Sequence, residues 1–292
     1  MAVCTLWGTI PLLTRDVDLP PAAIVLVRVW TGVAGLALFA RFWHPGAARQ
    51  RRHEVPKRRK GGLRRALLVG PLLAVHWTAM FAGYQHAPAD VVVFVVFLAP
   101  VGIAVVAPRA LGERLGVPTL VALAIAVAGF ALTTGPALDG AALVGVAYAA
   151  LSAATLVVLV VVSKPLSETL GGFRLARIEL AGAGVVLLPV LVTTSWGGTT
   201  AREWLALGVL GVVHTGIGVA VYLVALSKVP ATSVGILGYL EPVAVVVFSW
   251  LLLADVPSLT TVAGGALIVV AGALVLRATP SALPEAPVHV PG

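Results

Sequence analysis

Glu241 lies in the apolar run LGYLEPVAVVVF. A charged side chain at the centre of a membrane helix costs about 2.5–3.5 kcal/mol, so an acid there requires a partner or a polar cavity. Pro242 follows it, and its missing amide frees a backbone carbonyl and marks a helix kink, as Pro100 does in the first half. Glu241 therefore either lines a pathway or is a packed, neutral element at the kink. His76, followed by Trp77, lies midway along one apolar run, and His214 lies midway along another. Imidazole titrates near neutrality, so each could bind a carboxylate or relay a proton. The plainer reading is a hydrogen bond to a neighbouring helix. Arg28, at the outer end of the second run, offers a bidentate fork to an anion, although snorkelling to the interface is the commoner use of such a residue. Trp7, Tyr148 and Tyr222 supply walls for apolar or aromatic ligands, or act as interface anchors. Arg177 and Glu179 share a helix end and read as an interfacial pair.

Other chemistries find no footing. His53-Glu54 is followed by Val-Pro-Lys, so it is not a zinc-binding HExxH, and the sequence holds neither a phosphate-binding P-loop nor G-x-S-x-G. A single cysteine, Cys4, makes neither an intrachain disulfide nor a multi-cysteine metal site. No enzyme, no metal and no cofactor is expected.

The elements that carry these residues are membrane spans. The chain of 292 residues is 59% hydrophobic and 11% charged, against about 25% charged in ordinary soluble domains. Apolar runs of the length a bilayer needs, about 20 residues, occur near 22–42, 66–86, 90–108, 117–135, 141–162, 174–194, 204–226, 231–253 and 259–276. Residues 1–14 add a tenth. That first run is short, so the natural start is expected further upstream, and it lacks the charged n-region and cleavage site of a removed signal. In lipid every backbone group must be satisfied within the segment, so these runs are helices.

Ten of the 20 Lys and Arg fall between Arg41 and Arg65, in a loop between two spans, which argues for a membrane-facing role and against nucleic acid. With the N-terminus cytoplasmic, 17 basic residues lie inside, and only Arg15, Arg28 and Arg202 lie outside. Both termini are then cytoplasmic. The tail, 278–292, holds four prolines and no apolar run and is expected to be disordered.

The halves repeat. Pro88 and Pro100 are answered by Pro230 and Pro242, both pairs 12 apart, and Glu113 and Asp255 each follow 13 residues later. Arg28 opening RVWTGVAGLAL likewise answers Arg177 opening RIELAGAGVVL, with Gly35 and Gly184 in step. Five spans per copy is odd, so the copies, 1–135 and 141–277, enter the membrane in opposite senses. Inverted repeats place a site near the midplane between halves that open it alternately to either side.

The segment from Val229 to Gly272 resembles the EamA-type drug/metabolite transporters in Leu240-Glu241-Pro242, the acidic helix end at Asp255 and Gly265 to Ile268. Trp7-Gly8 and the Leu-Gly-Glu-Arg-Leu of Leu111 to Leu115 extend the resemblance to the first half. Asp255 departs from the usual Glu. The resemblance implies an all-α integral membrane fold of ten transmembrane helices, two inverted five-helix repeats around a central cavity. It also implies a secondary transporter, an exporter or exchanger of small metabolites such as amino acids or drugs, in a bacterial inner membrane. The expected partners are a small-molecule substrate and the lipid bilayer. A channel, or a membrane enzyme or scaffold, is the alternative.

Overall fold

The computed structural model describes residues 2–14, 16–42, 62–134, 143–254 and 256–278. Most of the basic loop, Asp255 and the tail from Thr279 onward lie outside the described residues. In chain order the elements are α1 (Ala2–Trp7), α2 (Ile10–Thr14), α3 (Pro21–Phe42), α4 (Gly62–His86), α5 (Ala89–Val96), α6 (Ala99–Leu111), α7 (Val117–Thr134) and α8 (Leu143–Leu170). There follow α9 (Gly172–Val186), α10 (Val190–Thr193), α11 (Ala201–Val209), a π-helix (Leu210–Ile217), α12 (Gly218–Leu226), α13 (Ala231–Gly238), α14 (Leu240–Leu253) and α15 (Leu259–Ala278).

Among the described residues every regular element is helical, and seven helices are long and apolar enough to cross a membrane. The expected runs at 1–14, 117–135 and 174–194 are represented by the shorter helices Ala2–Thr14, Val117–Leu132 and Gly172–Val186. Large apolar side chains such as Leu38, Leu67, Leu143, Leu205 and Leu251 are exposed around the bundle. Water would penalise so much apolar surface, whereas hydrocarbon does not.

Several spans are broken, and proline chemistry explains where. Pro11 cannot donate to the Trp7 carbonyl, Pro100 cannot donate to that of Val96, and Pro242 cannot donate to that of Gly238. The chain accordingly breaks between α1 and α2, at Phe97–Leu98 between α5 and α6, and at Tyr239 between α13 and α14. Pro189 similarly separates α10 from α9. The expected 204–226 helix passes through eight residues of π-helix in its middle.

The repeat read from the prolines recurs in backbone geometry. Pro88 precedes α5 at φ −53°, ψ 142°, and Pro230 precedes α13 at φ −54°, ψ 143°. The paired helices α6 and α14 both end in the left-handed region, at Gly112 (φ 72°) and at Ala254 (φ 57°). Ala254 lacks glycine's freedom there, yet adopts the conformation its position in the repeat demands.

Close approach of helices rests on glycine. A Cβ on Gly70 of α4 would lie 2.5 Å from the backbone of Gly182 on α9, and one on Gly216 of the π-helix would lie 2.7 Å from the Gly32 carbonyl oxygen on α3. Small residues let backbones meet in this way where lipid gives no hydrophobic drive to association.

Candidate functional site

The breaks at Pro11, Pro100 and Pro242 converge on an internal space of two adjoining parts. The larger, about 690 Å³, is lined by the ends of α2, α3 and α4 together with α5 and α14; Ile24, Met80, Phe81, Tyr84, Val93 and Val246 make its walls mainly apolar. The smaller, about 170 Å³, lies between α3, α4, α6, α8, α9, α12 and α13. Ile10, Met80, Val96, Phe97 and Glu241 line both, so Glu241 stands where the vestibule meets the inner chamber.

Arg28 lies in the inner chamber. It is 2% exposed, which corrects the snorkelling expectation: the guanidinium turns inward to a polar partner instead of reaching for the interface. Its Nε donates to the Thr215 hydroxyl oxygen at 3.0 Å, and the guanidinium carbon sits 3.9 Å from the centre of the Trp77 ring. Stacking and one hydrogen bond fix the plane of the fork, while Nη1 is buried without a hydrogen-bond partner among the described residues. The π-helix supplies the anchor, because the Thr215 hydroxyl donates to the Leu210 carbonyl five residues back at 3.0 Å and leaves its oxygen to receive Arg28.

His76 also lines the chamber. Its Nδ1 lies 3.0 Å from the Ser152 carbonyl and 2.8 Å from the Ser152 hydroxyl. A carbonyl only accepts, so Nδ1 carries a proton and donates it there. Tyr222 and Trp7 pack ring to ring at 5.6 Å on the same wall, and the Trp7 indole N–H donates to the His214 carbonyl at 2.8 Å. Pro100 lines the inner chamber, and Pro242 lines the vestibule.

Two candidates stand elsewhere. His214 is buried with its Nε2 2.7 Å from the Thr9 hydroxyl and lines neither space, so it ties the π-helix to the break between α1 and α2. Tyr148 is 37% exposed, packs against His86 at 5.5 Å and also lines neither space. Its position near the start of α8 faces it outward, away from the chamber.

The expected Arg177–Glu179 pair does not form. Arg177 is exposed, while Glu179 is 2% exposed, lines the inner chamber and accepts the Ser163 hydroxyl at 2.5 Å. Burying a carboxyl in lipid is tolerated when a neighbouring helix supplies a donor, and Ser163 on α8 does so. The sequence held the signal for this. Gly172, Ala176, Glu179 and Ala183 share one buried face of α9, and Arg174 and Arg177 lie off it. Thr215 carried no such signal, since its role depends on the local π geometry.

The chamber thus offers an anchored guanidinium edge, an imidazole and two carboxyl groups inside apolar walls. Among the described residues no group of three His, Cys, Asp or Glu stands close enough to hold a metal ion. Glu241 makes no hydrogen bond or ion pair with any described residue.

The family model described as the EamA-like transporter family matches residues 1–135 and again 143–277. A crystal structure superposes on this chain with a TM-score of 0.76 at 21% sequence identity, covering 95% of each chain, a likeness of fold. No curated protein matches the chain.

Proposed function

The chain belongs to the EamA-like transporter family, and from that premise we propose that it is a secondary transporter of small metabolites that carry a carboxylate and an ammonium group. Glu241, His76, Trp77, Trp7, Tyr222 and Arg28 form its pathway, and Glu179 is added to them. His214 and Tyr148 serve it from outside the chamber. In this reading the two matched segments are inverted five-helix repeats in a bacterial inner membrane, with both termini cytoplasmic. They alternately open one central site to either side, exporting or exchanging substrate.

The observation that carries the reading is the pairing of opposite, underused charges inside an apolar cavity. Arg28 holds a buried Nη1 that no atom of the described residues satisfies, and a buried unsatisfied donor costs about 1–3 kcal/mol. A substrate carboxylate removes that cost by hydrogen bonding to the fork. Glu241, at the junction of the two spaces, is placed to receive the substrate's ammonium group or a proton in its absence. The apolar vestibule then surrounds the substrate body, as small-molecule sites commonly do.

Metabolite profiles of cells and medium, with and without overexpression, identify the substrate, and flux into proteoliposomes measures its transport. Flux should saturate, which a channel's conduction would not. Glu241→Gln should lower the rate at least about tenfold, the scale of one lost charge-assisted bond, and should flatten its pH dependence. A wild-type rate and pH profile in that variant would remove Glu241 from the pathway.

A further inference from the structure

The two ends of the internal space are built differently. At the vestibule end, α5 and α14 both line the space. At the other end α6 and α13 meet, with Gly235 so placed that a Cβ there would lie 3.4 Å from Pro100 and from Ile103. Just past that meeting point, Gly112 ends α6 at φ 72° and turns the chain so that Glu113 reaches the first turn of α13. One Glu113 carboxylate oxygen accepts the Ala231 amide at 2.5 Å; the other accepts the Thr232 amide at 3.2 Å and the Thr232 hydroxyl at 2.9 Å.

This contact does what an N-cap side chain ordinarily does. The first amides of a helix have no partner within it, and Pro230, in the cap position of α13, has no side chain that could accept them. An acid from the first matched segment therefore caps a helix of the second, across the seam between them. Beside that end, Lys164 of α8 donates to the Leu226 carbonyl at the close of α12 at 2.8 Å and pairs with Glu168 at 2.7 Å.

We propose that Glu113 is a latch that holds the α6–α13 end shut, and that the site opens to that side only when Glu113 releases the α13 N-terminus. The proposal rests on the transport reading and adds the device that separates its two states. Glu113 is only partly buried, so on release both the carboxylate and the amides regain hydrogen bonds from water. That makes the latch worth about a tenfold shift in population, the scale of an N-cap, strong enough to hold one state and weak enough to break in each cycle.

The test reads thiol labelling by a membrane-impermeant maleimide in a Cys4→Ala background, in variants that remain monodisperse. Gln85→Cys reports the vestibule, and Ser233→Cys, in the first turn of α13, reports the latched end. With Glu113 intact, Gln85→Cys should label fast and Ser233→Cys slowly. Glu113→Gln and, separately, Thr232→Val should each raise Ser233→Cys labelling, about tenfold for the former, and slow labelling of Gln85→Cys. Unchanged labelling in both variants overturns the latch. As a second measurement, Glu113→Cys with Thr232→Cys joined by a short cleavable bis-thiol reagent, which restores a tie between the same two positions, should stop flux until the link is cut. Continued flux across the linked pair overturns the proposal. Labelling needs no substrate, so its outcome judges the latch alone, whereas absence of saturable flux in the unaltered protein would count against the transport reading.

Discussion

Arg28→Lys separates recognition of a carboxylate from support of the fold. Lysine keeps the charge but loses the planar stack on Trp77, the Nε bond to Thr215 and the unpartnered Nη1. The stack and the Thr215 bond exist with or without substrate, so their loss cancels from binding and appears in stability. The stack accounts for about 0.5–2 kcal/mol of that. What binding loses is the hydrogen bond between the fork and the incoming carboxylate, about 1.5–3 kcal/mol for a bond to a charged group. That corresponds to a rise of roughly 10- to 150-fold in half-saturation concentration. The assay is counterflow in proteoliposomes, comparing the substrate found by metabolite profiling with its carboxamide analogue, for wild type, Arg28→Lys and Arg28→Met. The carboxylate substrate should weaken by that factor, and the carboxamide by less than about threefold, below the 1 kcal/mol scale of a neutral bond. Equal weakening of both would refute the reasoning and leave Arg28 as a strut between α3 and the π-helix.

Ser163→Ala removes the donor to the buried Glu179 carboxyl. It should cost about 1–3 kcal/mol of stability, and an unchanged melting temperature in detergent would show that Glu179 does not depend on that hydroxyl. Gly70→Ala would place a Cβ 2.5 Å from the Gly182 backbone, whereas the same change at Gly208 meets nothing within 4 Å. The first should therefore destabilise by about 1–3 kcal/mol through overpacking and the second should not, and equal melting curves would contradict the α4–α9 contact.

The residues that proved readable in advance share one property: their signal is local. Pro100 and Pro242 remove specific amides, so the breaks near Phe97 and Tyr239 follow from chain position alone. The spacing of Pro88, Pro100 and Glu113 against their later counterparts likewise carries the repeat that recurs in the dihedral angles of Pro88 and Pro230. That Glu241 and His76 face the internal space was legible because polar groups in apolar runs are costly and demand a reason. Arg28 was open to two readings, and Glu179 was misplaced, for the converse reason. Near the end of a span a charge can face water or the bundle, and sequence distance to the end does not say which. Tyr148 illustrates the same ambiguity for an aromatic residue.

Composition and periodicity by themselves determined that this chain is a helical membrane protein with two related halves, because lipid imposes the same demand on every residue of a span. Which charges meet inside was decided only by tertiary structure. Arg28 is held by Thr215, 187 residues away, Glu113 caps a helix 118 residues away, and His76 is paired with Ser152, 76 residues away. Such contacts arise from the rotation and offset of one packed helix against another, set by small residues at their crossings, and no local pattern along the chain encodes them.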